Sequence, residues 1–286
     1  MVNFLYFTLV LGFSMFFMHP VFLGISLVCA VCYSIYLNGR RALRFQAVYL
    51  LPLLLLTAVM NPVFNHEGIT VLTYLRDGNP LTLESVLYGA AAAVMLVTVI
   101  CWFSCFNKII TSDKLIYLFG RILPSLSLLL SMVLRFVPRF GAQLRTVRNA
   151  QRCMGQVDSD KNLIKRARHG IKIISIMTTW ALENSIETAD SMKSRGFGET
   201  GRTSFSVFRL QKRDITILIL LLACATAMLA AAWRGALDFQ YFPSVRGTGA
   251  SVWSVLGGVA YFVLCLLPLV LNLTEAILWK RMQSRI

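Results

Sequence analysis

Charge is what this sequence has least of. Only 14% of its 286 residues are Asp, Glu, Lys or Arg, against about 25% in soluble domains. Hydrophobic residues make up 57%, and the mean hydropathy is +0.67. Acidic residues are scarcest, with 13 against 28 Lys plus Arg, for a formal net charge of +15. A basic excess of this size suits nucleic acid or an anionic membrane surface. Long apolar runs, and the lack of an arginine-rich arm beside stacking aromatics, favour the lipid bilayer and exclude nucleic acid as the expected partner.

Other absences narrow the chemistry. No G-x-x-x-x-G-K-[ST] occurs, nor any Gly-Lys dipeptide, so a phosphate-cradling loop of that type is missing and the chain is not itself the ATPase. Neither H-E-x-x-H nor G-x-S-x-G is present, and no acidic pair falls inside an apolar run, so a non-catalytic protein is expected. Glu84 and Glu275 stand near the ends of apolar runs, which is weak support for an ion path. His19, His66 and His169 share no ligand spacing, so no metal or cofactor is expected. Of the seven cysteines, six lie in apolar stretches. The Cys29-x-x-Cys32 pair has no second pair or histidine nearby and reads as two small hydrophobes. No Lys or Arg precedes Arg40, so the first apolar run lacks the charged region of a signal peptide.

What is present is a series of apolar runs. A spanning helix needs about 20 mostly apolar residues. Residues 4–18, 21–37, 45–61, 84–106, 215–233 and 252–278 supply six candidates, the first of them short. His19-Pro20 separates the first two, where proline favours a turn. The expected fold is an all-α integral membrane protein. Its parts are N-terminal spans in 1–112, a long amphipathic region in 113–212 and C-terminal spans in 213–286. Of the 28 Lys and Arg, 19 fall in residues 107–214, three in 38–44 and three in the tail. The 62–83 and 234–251 loops carry one and two. The positive-inside rule then places the central segment in the cytoplasm. Six spans would place both termini there too.

The central segment reads as helices. Residues 113–123 form a short amphipathic piece ended by Pro124. Residues 125–154 form a second helix, apolar in its first half, with Arg145, Arg148 and Arg152 gathered on one face by spacings of three and four. Pro138 falls within it and Gly155 supplies its stop. Asp160 suits an N-cap for a third helix running to Ser194. Leu163, Ile164, Ala167, Ile171, Ile174, Thr178, Ala181 and Leu182 keep a helical period there, while Glu183, Glu187 and Asp190 line another face. Both long helices end in a basic residue and small residues just before glycine. A cation offsets the negative end of the helix dipole, arginine offers a planar fork to carboxylates or carbonyls, and glycine lets another backbone approach. Two well-capped helices and a pair of docking tips fit these residues about equally.

The Ser194-Arg195-Gly196 ending, with Phe197-Gly198 after it, resembles the small-Arg-Gly motif of energy-coupling factor (ECF) transporter transmembrane components, the T components, to which subunits of cobalt and nickel uptake systems are related. The stretch Asn61-Pro-Val-Phe-Asn-His-Glu-Gly-Ile-Thr-Val-Leu-Thr-Tyr-Leu75 resembles that family's external loop. So does Gly78-Asn-Pro-Leu-Thr-Leu-Glu84, and Leu134-Arg-Phe-Val-Pro138 is similar to part of its cytoplasmic helices. The likeness runs in order from about residue 20 to 215. It implies the coupling subunit of an ABC-type importer in a bacterial inner membrane, which would take up a vitamin or a transition-metal ion. The implied partners are two ABC-type ATPases, which supply energy, and a small membrane-embedded S component, which captures the substrate. It further implies that Ser194, Arg195 and Gly196 dock one ATPase. Cys153-Met154-Gly155 occupies the matching place at the first tip, with Met154 where the family carries arginine and Arg152 two positions earlier. Arg145, Arg148, Glu183 and Glu187 would support the coupling helices. An integral-membrane enzyme acting on lipid headgroups, with phosphates held on the basic face, and a plain membrane scaffold are the competing readings.

Overall fold

A computed structural model describes residues 2–74, 80–111, 114–115, 118, 124–154, 163–197, 212–247, 249 and 251–283. The chain divides into two compact units, Met1–Thr111 with Leu210–Ile286, and Ser112–Arg209.

The first unit is a bundle of apolar helices. In chain order these are α1 (Val2–Phe16), α2 (Pro20–Asn38), α3 (Arg40–Phe45), α4 (Leu51–Phe64) and α5 (Leu83–Ile109). After the central segment come α8 (Lys212–Trp233) and α9 (Val252–Gln283). Among the described residues, five helical stretches are long and apolar enough to cross a membrane: Pro20–Asn38, Arg40–Phe64, Leu83–Ile109, Lys212–Trp233 and Val252–Gln283. The protein is thus an all-α, multi-pass membrane protein. The expected sixth span differs. α1 has 15 residues, a rise of about 22 Å against a hydrocarbon core of about 30 Å. Without α1 as a full span, counting crossings no longer fixes the side of the N-terminus.

Two further differences concern the 45–61 run. Its helix starts earlier, at Arg40, just after Gly39. It also passes through a π-helical stretch, Gln46–Leu50, before continuing to Phe64. The π-helical turn leaves no periodic mark in so uniformly apolar a sequence. Two small hairpins close one end of the unit. β1 (Val71–Tyr74) pairs antiparallel with β2 (Pro80–Thr82), and β3 (Phe239–Gln240) with β4 (Arg246–Gly247).

Trp102 on α5 is the hub of the core. It is fully buried, donates from Nε1 to Ser26 Oγ on α2 at 3.0 Å, and meets the rings of Tyr6, Phe7 and Tyr33 at 6.1–6.2 Å. α9 is tied in by polar contacts: Asn272 Nδ2 donates to the Tyr33 hydroxyl at 3.0 Å, and the Tyr36 hydroxyl to the Asn272 carbonyl at 3.2 Å. Where lipid competes equally for apolar surface, such hydrogen bonds hold helices together. α4 lies against α5 at Gly89, where a Cβ would come within 2.8 Å of the Ala58 carbonyl oxygen. Only glycine permits that approach.

The second unit contains α6 (Pro124–Cys153) and α7 (Leu163–Ser194). The short helix expected over 113–123 falls mostly outside the described residues. Gly155 and Asp160, the expected stop and N-cap, lie outside them too. α6 and α7 pack on one another through an aromatic contact: the Phe140 and Trp180 rings stand 5.3 Å apart, nearly perpendicular. The Arg139 guanidinium lies 5.8 Å from the same indole.

Candidate functional site: the exposed ends of two long helices

The end of α7 is a closed C-cap built around Arg195. Gly196 adopts φ 75°, the left-handed conformation that glycine reaches without steric cost. Its N–H donates to the Lys193 carbonyl at 3.1 Å, and the Phe197 N–H reaches back to the Met192 carbonyl at 3.0 Å. These two bonds form a Schellman motif. Ser194 Oγ donates to the Ser191 carbonyl at 2.9 Å. The backbone around Arg195 is therefore fixed, while the Arg195 side chain is exposed. A cation held at the negative end of a helix dipole, on a rigid turn, can reach into a groove of a partner at little further cost in chain entropy.

The end of α6 is less complete. The Met154 N–H closes the last turn on the Ala150 carbonyl at 3.1 Å, and its side chain is 63% exposed. Arg152 and Cys153 are exposed beside it. Gly155 lies outside the described residues. Arg145 and Arg148 are exposed on α6, and Glu183 and Glu187 on α7. The structure thus places the described residues of both ends on the outside of their helices.

The apolar stripe of α7 also faces outward. Ile164, Ile171, Ile174 and Leu182 are all more than 60% exposed, as are Ile186 and, on α6, Val137. Ile173 and Val147 are buried instead. So are two polar side chains that the periodicity did not single out, Gln151 and Asn184. Among the described residues, no group of three or more His, Cys, Asp or Glu could hold a metal ion.

A bundle of apolar helices and two long helices with exposed apolar side chains and basic ends define a polytopic membrane protein. A family model described as cobalt transport protein, CbiQ, matches residues 1–207. The chain belongs to the CbiQ family of transport proteins. It is similar to the energy-coupling factor transporter transmembrane protein EcfT of Lactobacillus helveticus, 36% identical over 94 residues, which is 32% of this chain and 34% of that protein. The EcfT of Bacillus selenitireducens is 32% identical over 111 residues, 38% of this chain and 41% of its own. EcfT 1 of Listeria monocytogenes is 26% identical over 192 residues, covering 63% and 69%. The chain thus spans only about a third to two fifths of the first two relatives, and more than two thirds of the Listeria protein.

Proposed function

We propose that this chain is the transmembrane coupling subunit of an ECF-type ABC importer. Two cytoplasmic ATPases would dock on the ends of α6 and α7, and a small membrane-embedded S component would capture a vitamin or transition-metal ion. The observation that carries the reading is the closed cap at Gly196, which holds Arg195 exposed on a fixed backbone. ATP binding would draw the ATPases together and shift both helix ends. The uncovered faces of α6 and α7 would carry that shift to the S component. Such coupling requires contacts that differ between the two ATPase states. The chain itself would catalyse nothing. The basic segment and the C-terminus would lie in the cytoplasm, since 19 of 28 Lys and Arg sit between residues 107 and 214.

Affinity purification from native membranes, with partners identified by mass, tests the assembly. Two ATPases and a small membrane protein are expected to come down with the wild-type chain. Arg195→Glu should weaken retention of one ATPase about thirtyfold or more, the effect of reversing one buried interfacial charge. Full retention and normal uptake with Arg195→Glu and Arg152→Glu combined would overturn the reading.

A further inference from the structure

The stretch between α4 and α5 is pinned from inside, yet its apolar side chains are left outside. Glu84, in the first turn of α5, is buried and accepts from the Thr70 N–H at 3.2 Å and from Thr70 Oγ1 at 2.8 Å. Thr82 Oγ1 donates to the Glu67 carbonyl at 2.7 Å, and Ser85 Oγ to the Asn65 carbonyl at 2.8 Å. Gly68 has φ 137°, and a Cβ there would stand 2.7 Å from Glu84 Oε2. The approach to β1 is therefore fixed by charge-assisted and close-packed contacts. Nevertheless Ile69 is 70% exposed, Leu72 55% and Tyr74 70%.

The pairing slips between Val71 and Thr73, and all four β1 residues are exposed, so neither face of the strand is covered and Val71, Leu72 and Tyr74 keep apolar surface open. A docked protein covers one face of such a ribbon. A lipid medium covers both. The hairpin also hangs where two apolar helices end, Phe64 closing α4 and Leu83 opening α5. On α4, Met60, Val63 and Phe64 are exposed up to the helix end, after which Asn65, His66 and the exposed Glu67 precede the hairpin. Tyr74 has the amphipathic ring that settles at headgroup level.

We propose that the β1–β2 hairpin is a membrane-interface anchor, lying in the boundary between headgroups and acyl chains of the leaflet at that end of α4 and α5. Its ligand is the phospholipid surface itself, and the Glu84 brace fixes the depth at which the α4–α5 pair sits. The test uses the full-length chain in nanodiscs of phosphatidylcholine and phosphatidylglycerol, with a nitroxide at Leu72→Cys. Cys32→Ala and Cys153→Ser remove the two exposed thiols, and the remaining five are buried. Power saturation against oxygen and a nickel chelate, with doxyl-labelled lipids as depth markers, should show oxygen access several-fold above nickel access. The depth should read at the headgroup boundary. Nickel access equal to that of a freely solvated label would overturn the proposal. Shielding from both reagents would overturn it too, by assigning the hairpin to a protein contact. Ile69→Cys, read in parallel, guards against misfolding of a single variant.

Discussion

The two units of this chain spend their side chains differently. In the membrane unit, Trp102, Tyr33, Phe7, Met228 and Leu264 are all buried almost completely, and hydroxyls such as those of Tyr33 and Ser26 have partners on neighbouring helices. In the unit of α6 and α7, the buried described residues are Val147, Gln151, Ile173 and Asn184, two of them polar. Among its large apolar side chains, Val137, Ile164, Ile171, Ile174, Leu182 and Ile186 stand outside. A bundle that closes on itself has its stability written into its contacts. A pair of helices that buries so little of its own apolar face has its purpose written into what it leaves uncovered, because large exposed apolar patches mark interaction surfaces.

The sharpest way to break this contrast is to exchange its terms. Trp102→Ala removes a fully buried indole and its hydrogen bond, which should cost about 3–5 kcal/mol. Thermal unfolding of the purified chain in detergent should show a large drop in Tm. Arg195→Glu should move the same Tm only slightly, through the lost dipole compensation of about 0.3–1 kcal/mol, while releasing an ATPase. If Arg195→Glu unfolds the chain, or Trp102→Ala does not, the division of labour between the units is wrong.

Glycine gives a second, smaller contrast. Gly89→Ala drives a methyl group into the Ala58 carbonyl and the Pro62 ring, and overpacking of this kind costs about 1–3 kcal/mol. Gly141, in the middle of α6, has nothing within 4 Å of its would-be Cβ. Gly141→Ala should therefore stabilise the chain by about 0.5–1 kcal/mol through helix propensity alone. Opposite shifts in Tm for one chemical change would express the difference between a packed helix and an uncovered one.

What the sequence discloses follows the same division. Apolar runs and charge asymmetry located α2, α5, α8 and α9 to within a few residues, because a bilayer demands long apolar helices whatever their neighbours. The helical period of 163–182 and its end at Ser194 were legible for a similar reason. Periodicity did not reveal which apolar stripe would stay exposed, since Ile173 and Ile174 are indistinguishable by type and only one is buried. The π-helical stretch at Gln46–Leu50 and the brace from Glu84 to Thr70 were hidden as well. The brace depends on a contact between segments rather than on local pattern, and Glu84 read from sequence was simply an acid near a helix start.

His19 offers a pH-dependent probe of the membrane unit. Its Nδ1 accepts from the Val21 N–H at 3.3 Å and caps α2, with the rings of Phe22 and Phe239 each 5.3 Å away. Burial lowers its pKa below the ordinary value near 6.5. The unfolded chain therefore binds the proton more readily, and stability falls as pH drops below about 6.5, levelling off below the folded value. His19→Asn keeps a capping acceptor and should remove this slope from Tm measured between pH 7.5 and 5.

The smallest expected effect bears on the asymmetry within the second unit itself. α7 ends in Ser194-Arg195-Gly196, whereas α6 ends in Cys153-Met154, with Arg152 one residue earlier. Met154 follows the last helical residue and is largely exposed, so a longer polar side chain fits there without repacking. If both ends dock ATPases through arginine, Met154→Arg should tighten binding at the first end by less than tenfold, with no change in Tm. If the first end docks by apolar contact, the same change should weaken binding instead, because it removes a flexible thioether that fills irregular gaps and buries an unpaired charge. The sign of that one shift, read by ATPase titration on the reconstituted chain, decides whether the two ends work alike.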